Sequence, residues 1–198
     1  ILGIALGVIA GMRRGKWFDS TILVVSLLLI SVPTFVLGFV LQYVLGVQLA
    51  ILPTTASASV DLRSLTMPAM VLGGVSLAYV IRLTRQSVSE NVSADYVRTA
   101  RAKGVPAFRI IFGHALKNSL IPVITYVGPM LAYIVTGSLV VEKIFSVSGI
   151  GRAFVNSINN RDYPLIMGTT IVLASLIVIM NLISDILYKV VDPRITLE

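Results

Sequence analysis

Cysteine is absent from the 198 residues, histidine occurs once (His114) and tryptophan once (Trp17). Without cysteine there is no disulfide, thiolate metal site or redox pair. A lone helical histidine falls far short of the three or four nitrogen and sulfur ligands that a zinc site needs. No nucleophile, base and orienting group stand in a recognisable set. The expectation is therefore a chain with no catalytic residues, no metal and no cofactor. Charge is scarce as well. Asp, Glu, Lys and Arg make up 13% of the chain, against about 25% in an ordinary soluble domain. All four are missing from 20–60, 64–81, 118–141 and 163–184. Each stretch is near the length of about 20 residues that an α-helix needs to cross a hydrocarbon core. A soluble globular fold is excluded; the expected class is all-α, a polytopic helical membrane protein.

What is present is apolar and basic: 56% hydrophobic residues and a formal net charge of +7. Nucleic-acid binders carry such charge on a solvated face, often with stacking aromatics. Here Lys and Arg sit in short blocks beside apolar spans, as membrane topology requires, so nucleic acid is not an expected partner. The first apolar run ends at Arg13, Arg14 and Lys16. A signal peptide would place its basic residues before the run, not after it. Residues 1–12 are about half a span, which predicts the cytoplasmic half of a helix whose remainder lies upstream of Ile1. Gly3, Gly7 and Gly11 share one helical face. They suit either close helix packing in lipid or an incidental placement in an apolar helix.

Five apolar segments are expected: 1–12, about 20–45, 65–81, 119–141 and 164–188. Lys and Arg number twelve in 13–19, 82–117 and the tail from 189, and four in 46–64 and 142–163. The excess of positive charge places the first set in the cytoplasm. Pro68, Pro122 and Pro164 lie near predicted helix starts, where proline suits the first turn. Pro33 and Pro129 remain as expected kinks bordering a translocation path. Asp185 is the one charge expected inside a span. Ion-coupled carriers normally need buried ionisable groups, so a secondary transporter or channel is the weaker alternative. A purely structural anchor is a third.

The segment 82–117 is long for a connection and patterned. Ser93 is placed to cap a helix with Asp95 in its first turn. Ala94 to Lys103 reads as helix, with Tyr96, Val97 and Ala100 on an apolar strip. Gly104 stands where a helix ends in a left-handed residue, and Pro106 suits the first turn of the next. Phe108, Ile111, Phe112 and Ala115 then repeat with helical spacing. Helix, Gly-x-Pro elbow and second helix form either a rigid docking surface or an interfacial basic helix on anionic lipid.

The run Asp95-Tyr-Val-Arg-Thr-Ala-Arg-Ala-Lys-Gly104, then His114-Ala-Leu-Lys-Asn118 and Ile121-Pro-Val-Ile-Thr125, resembles the permease subunit of dipeptide/oligopeptide/nickel ABC importers. The similarity covers that family's EAA loop. It extends to Met67-Pro-Ala-Met-Val-Leu-Gly73, Arg82-Leu-Thr-Arg85, Glu142-Lys-Ile-Phe145, Gly149-Ile-Gly151, Arg161-Asp-Tyr-Pro164 and Asp192-Pro-Arg194. Arg98 and Thr99 depart from the general EAA pattern, where Glu and Ala stand, and Lys117 lies near the expected proline; peptide permeases of this type commonly share these departures.

The resemblance implies an ABC importer type I permease fold, with 1–198 a single, partial transmembrane domain lacking its first helix. It implies that 82–118 is a cytoplasmic coupling segment docking on an ATP-binding subunit through Asp95, Arg98, Ala100, Lys103, Gly104, Pro106 and Arg109. The implied partners are two ATP-binding subunits, a second homologous permease, an extracytoplasmic solute-binding protein and membrane lipid. The implied substrates are di- or oligopeptides, with nickel chelates or other small solutes as the alternative, and the implied location is the cell membrane. ATP hydrolysis would belong to the partners. In keeping with that, Gly11-Met-Arg-Arg-Gly-Lys16 has its glycines too close for a phosphate-binding loop, and Gly149-Ile-Gly151 follows no strand. Ile150, Phe154 and Ile158 predict a short amphipathic helix, lying either at the pore mouth or on the membrane surface.

Overall fold

The structure is a computed structural model that describes residues 1–56, 61–136 and 138–191; Asp192-Pro-Arg194 and the side chain of His114 lie outside them. Every regular element among the described residues is helical: α1 (Leu2–Met12), α2 (Trp17–Ser31), α3 (Thr34–Leu41), α4 (Leu62–Ser93), α5 (Asp95–Ala102), α6 (Ala107–Ile110), α7 (Leu116–Thr136), α8 (Leu139–Ile144), α9 (Ile150–Asn159) and α10 (Tyr163–Val191). Two π-helical turns, Gln42–Gln48 and Ile111–Ala115, extend α3 and join α6 to α7. Among the described residues, three helical stretches are long and apolar enough to cross a membrane, or four if α2 and the helix beginning at Thr34 form one broken span. The chain is a multi-pass membrane protein.

Several boundaries differ from those expected. The second apolar segment is not one kinked helix. Pro33 (φ −55°, ψ 138°) is extended backbone that ends α2 and precedes the first turn of α3, because its ring blocks a continuous ladder of amide donors. Pro68 is not a first-turn residue: α4 begins at Leu62 and carries it inside the helix. Pro122 likewise lies inside α7, and so does Pro129. Pro164 is the second residue of α10, where the missing amide costs nothing. The third segment does not stop at Arg82 but continues as helix to Ser93, 32 residues in all.

The described chain divides into two compact units. One comprises residues 1–30, 76–128 and the described residues from Leu182 onward; the other comprises 31–75 and 129–181. Lipid tails are as apolar as leucine, so helices in a membrane associate by close packing and polar links rather than by hydrophobic burial. The first unit shows both. A methyl group on Gly3 would lie 2.9 Å from Val80, on Gly7 2.6 Å from Thr84, and on Gly11 2.8 Å from the Arg85 carbonyl oxygen. The three glycines are therefore the contact stripe that lets α1 lie against α4. Gly128 makes the same kind of room for Ser184 of α10, whose hydroxyl donates to the Ile124 carbonyl at 3.3 Å.

The second unit has a small apolar core of Met67, Val71, Val141 and Phe145, flanked by Leu37, Leu41 and Leu45. The Gln42 side-chain amide donates to the carbonyls of Thr54 (2.7 Å) and Ile144 (3.0 Å). The Ala56 amide donates to the Phe145 carbonyl at 2.7 Å. These bonds strap the segment after α3 onto the end of α8.

Candidate functional site

The elbow between α5 and α6 is built by backbone geometry first. Ala94 (φ −69°, ψ 153°) rather than Ser93 precedes α5, and it has no side-chain cap. Ser93 instead closes α4, its hydroxyl donating to the Ser89 carbonyl at 3.0 Å. α5 ends at Ala102 with Lys103 as its cap, and the next residue, Gly104, has φ +76°. The Gly104 amide donates to Arg101 O (3.0 Å), and the Val105 amide to Ala100 O (3.2 Å). This paired closure requires a left-handed residue between helix and exit, the position glycine adopts without steric cost. A methyl group at Gly104 would meet nothing within 4 Å. The requirement is conformational alone. Pro106 then supplies the carbonyl that accepts the amides of Arg109 (3.0 Å) and Ile110 (3.2 Å), starting α6.

Beneath the elbow, Val97, Ile110 and Ala115 are buried and Val92, Ala100 and Val105 pack against them. Here the expected stripe is corrected. Ile110 and Ala115 turn inward, while Phe108 and Phe112 are 72% and 52% exposed and stack on each other at 4.5 Å. The π-helical turn over Ile111–Ala115 brings residues five apart, not three or four, onto one face. No feature of the local sequence announces that turn.

Asp95, Arg98, Lys103, Gly104, Pro106 and Arg109 are all exposed, whereas Ala100 is half-buried and packs inward. Arg98 and Asp95 approach to 3.8 Å, an exposed pair that contributes little to stability. The surface is thus an aromatic knob surrounded by more positive than negative charge, standing on its own small core. Such a surface suits a partner offering an apolar pocket with an acidic rim. Pro33 lies in the break between α2 and α3 and Pro129 lies inside α7, and both are exposed.

Two further constellations escape a reading of the sequence alone. Asp19, expected in a loop, lies in the first turn of α2 and is 2% exposed. Arg85 Nε and one of its terminal nitrogens donate to the two Asp19 carboxylate oxygens at 2.8 and 2.7 Å. The Gly15 amide adds a third bond at 2.9 Å. Spacing could not pair residues 66 positions apart. In the other unit, the Glu142 carboxylate is buried and accepts the Arg152 amide at 2.7 Å, in the first turn of α9. A methyl group on Gly149 would collide with that carboxylate, and one on Gly151 would come within 3.2 Å of it. The expected α9 helix is present, with Ile150 and Ile158 exposed. After it, Arg161 adopts φ +54°, and Asp162 accepts the Leu165 amide at 3.2 Å, ahead of Pro164 in α10.

Comparison with known proteins agrees with this architecture. A family model described as "Binding-protein-dependent transport system inner membrane component" matches residues 3–197. The dipeptide transport system permease protein DppB of Bacillus subtilis is 44% identical over 198 residues, covering all of this chain and 64% of that relative. The oligopeptide transport system permease protein AppB of the same organism is 40% identical over 203 residues, covering 98% of this chain and 64% of the relative. The oligopeptide transport system permease protein OppB of Salmonella typhimurium is 40% identical over 195 residues, with the same coverages. The chain thus spans 64% of the length of these curated relatives.

Proposed function

The chain belongs to the family of binding-protein-dependent transport system inner membrane components, and from that premise we propose that it is the permease subunit of an ABC importer for di- or oligopeptides. In this reading residues 1–198 form one transmembrane domain in the cytoplasmic membrane, and 82–118 is its cytoplasmic coupling segment. Two ATP-binding subunits, a second permease and an extracytoplasmic solute-binding protein complete the transporter. ATP hydrolysis takes place in the partners. The names of the relatives support peptides as cargo, and the lysine and arginine asymmetry supports the orientation.

The observation that carries the proposal is the elbow. Its exposed Phe108 and Phe112 alternate along the chain with Ile110 and Ala115, which are buried with Val97, so a push on the knob is transmitted to α4 and α7 rather than absorbed by a loose loop. Asp95, Arg98, Lys103 and Arg109 provide the polar rim, Gly104 and Pro106 set the angle, and Ala100 supports from beneath. Closure of the ATP-binding subunits then moves the elbow as a lever, and rigid-body movement alternates access to a central path. The four expected spans are uncharged over their midsections, so the path in this subunit offers apolar walls, hydroxyls and backbone carbonyls. Selectivity accordingly belongs to the solute-binding protein, with Pro33 and Pro129 at bends beside the conduit.

The test is a crosslink. Phe108→Cys in the assembled transporter should couple to an ATP-binding subunit through a short bifunctional thiol reagent, to an engineered cysteine in that subunit's acidic-rimmed pocket. Coupling should change on nucleotide addition. Absence of coupling at every position scanned, together with normal peptide uptake by Arg109→Glu, would overturn the docking assignment.

A further inference from the structure

The loop after α1 and the lower part of α4 enclose a cleft of about 280 Å³ in the first unit, lined by Arg14, Arg82 and Arg85. Two of the three guanidinium groups are held in place. Arg85 is locked to Asp19 by paired bonds, and a terminal nitrogen of Arg14 donates to the Ser89 hydroxyl at 2.9 Å. Arg82 is exposed and has no hydrogen bond or ion pair among the described residues. Glu90 also lines the cleft and accepts the Gln86 amide at 3.1 Å. Three arginines against Asp19 and Glu90 leave an excess of one positive charge. That excess matches a singly charged phosphodiester better than a doubly charged phosphate monoester.

Leu23 of α2 also lines the cleft. From there the outward face of α2 continues as Val24, Leu27 and Leu28, all exposed. A guanidinium cleft opening onto an exposed apolar helix face is the complement of a molecule with one anionic head and hydrocarbon chains. We infer that the cleft binds the phosphodiester headgroup of an anionic phospholipid, with Arg82 and Arg14 on the phosphate and the acyl chains along Leu23 to Leu28. The lipid would be that of the cytoplasmic leaflet, a placement that rests on the orientation proposed above; headgroup binding itself does not depend on it.

The test uses the complete transporter in nanodiscs of equimolar phosphatidylglycerol and phosphatidylcholine, with retained lipid read by native mass spectrometry. Wild type should retain phosphatidylglycerol in clear preference. Arg82→Gln, on an exposed and unpaired side chain, should reduce that preference by about tenfold, the equivalent of one charge-assisted contact. Arg82→Lys should restore part of it, and Arg152→Gln, in the other unit, should leave it intact. Equal retention of both lipids by wild type, or an unchanged preference in Arg82→Gln, would overturn the inference. Binding of millimolar glycerol 3-phosphate by a wild type that shows no preference for phosphatidylglycerol would show a site for soluble phosphate and reject the lipid as its source. Labelling Ser93→Cys in intact cells reports the orientation separately, so the two proposals fail independently.

Discussion

Two glycine-led turns, Gly104 at the α5–α6 elbow and Gly149 with Gly151 at the start of α9, look alike in sequence and are required for opposite reasons. At Gly104 the space around a side chain is empty, but the backbone is left-handed at φ +76°. At Gly149 the backbone is ordinary extended chain, φ −100° and ψ 176°, but the Glu142 carboxylate occupies the place of a side chain. One turn is constrained by torsion and leaves its neighbours exposed; the other is constrained by volume and buries its charge. An exposed, torsion-built turn is free to present a surface to a partner. A turn packed around a buried carboxylate, bonded to the start of a helix, is a fastening.

The sharpest way to break this contrast is Gly149→Val. Forcing a side chain into the Glu142 carboxylate should destabilise the purified protein by about 1–3 kcal/mol, as overpacking does, and lower its thermal midpoint. Introducing the same change into Glu142→Ala should cost much less, because the obstacle is gone. Additive losses in the double variant would show that Gly149 is needed for something other than space.

The next effect is at Gly104. Alanine there should cost about 1 kcal/mol through the left-handed backbone, valine more, and asparagine little, since asparagine tolerates that region. Gly104→Val should also lower substrate-stimulated ATPase activity in the assembled transporter while membrane insertion stays near normal. A cost at Gly104→Asn equal to that of valine would locate the constraint in sterics rather than torsion.

A smaller change in stability, within about 0.5 kcal/mol as for most surface sites, is expected for Arg109→Glu, together with weakened assembly with the ATP-binding subunit. Equal assembly of variant and wild type in pull-down would remove the polar rim from the docking role. The mildest perturbation asks only on which side each turn lies. Ser93 and Ser148 are both exposed, and cysteine can be introduced singly into a chain that has none. A membrane-impermeant reagent applied to intact cells should label Ser148→Cys and spare Ser93→Cys; the reverse pattern would invert the topology.

For transport, Pro33→Ala should reduce uptake of two chemically different peptides by the same factor, with apparent affinity preserved. A change in which peptide is preferred would place selectivity in this subunit.

How far the residues alone led is clearest element by element. The charge-free stretches marked the spans because an unsatisfied charge in hydrocarbon is costly at any position. Gly104 and Pro106 marked the elbow because a left-handed exit and a donor-free helix start are local properties of single residues. The spacing of Gly3, Gly7 and Gly11 was visible, yet whether anything lay against that face was not; it took α4 to decide it.

The remainder depended on partners distant in the chain or on ladder geometry that neighbouring residues do not encode. Asp19 meets Arg85 across 66 positions, Gln42 reaches Ile144 across 102, and the Glu142 carboxylate fills the space that Gly149 must leave open. The π-helical turn after Ile110 rotated Phe108 and Phe112 outward, a reversal no helical period could indicate. Composition, charge asymmetry and single-residue torsions were therefore determined by the sequence by itself. The ion pair, the fastening at Glu142 and the exposed aromatic knob were decided by tertiary structure, because each depends on which atoms another segment brings within a few ångströms.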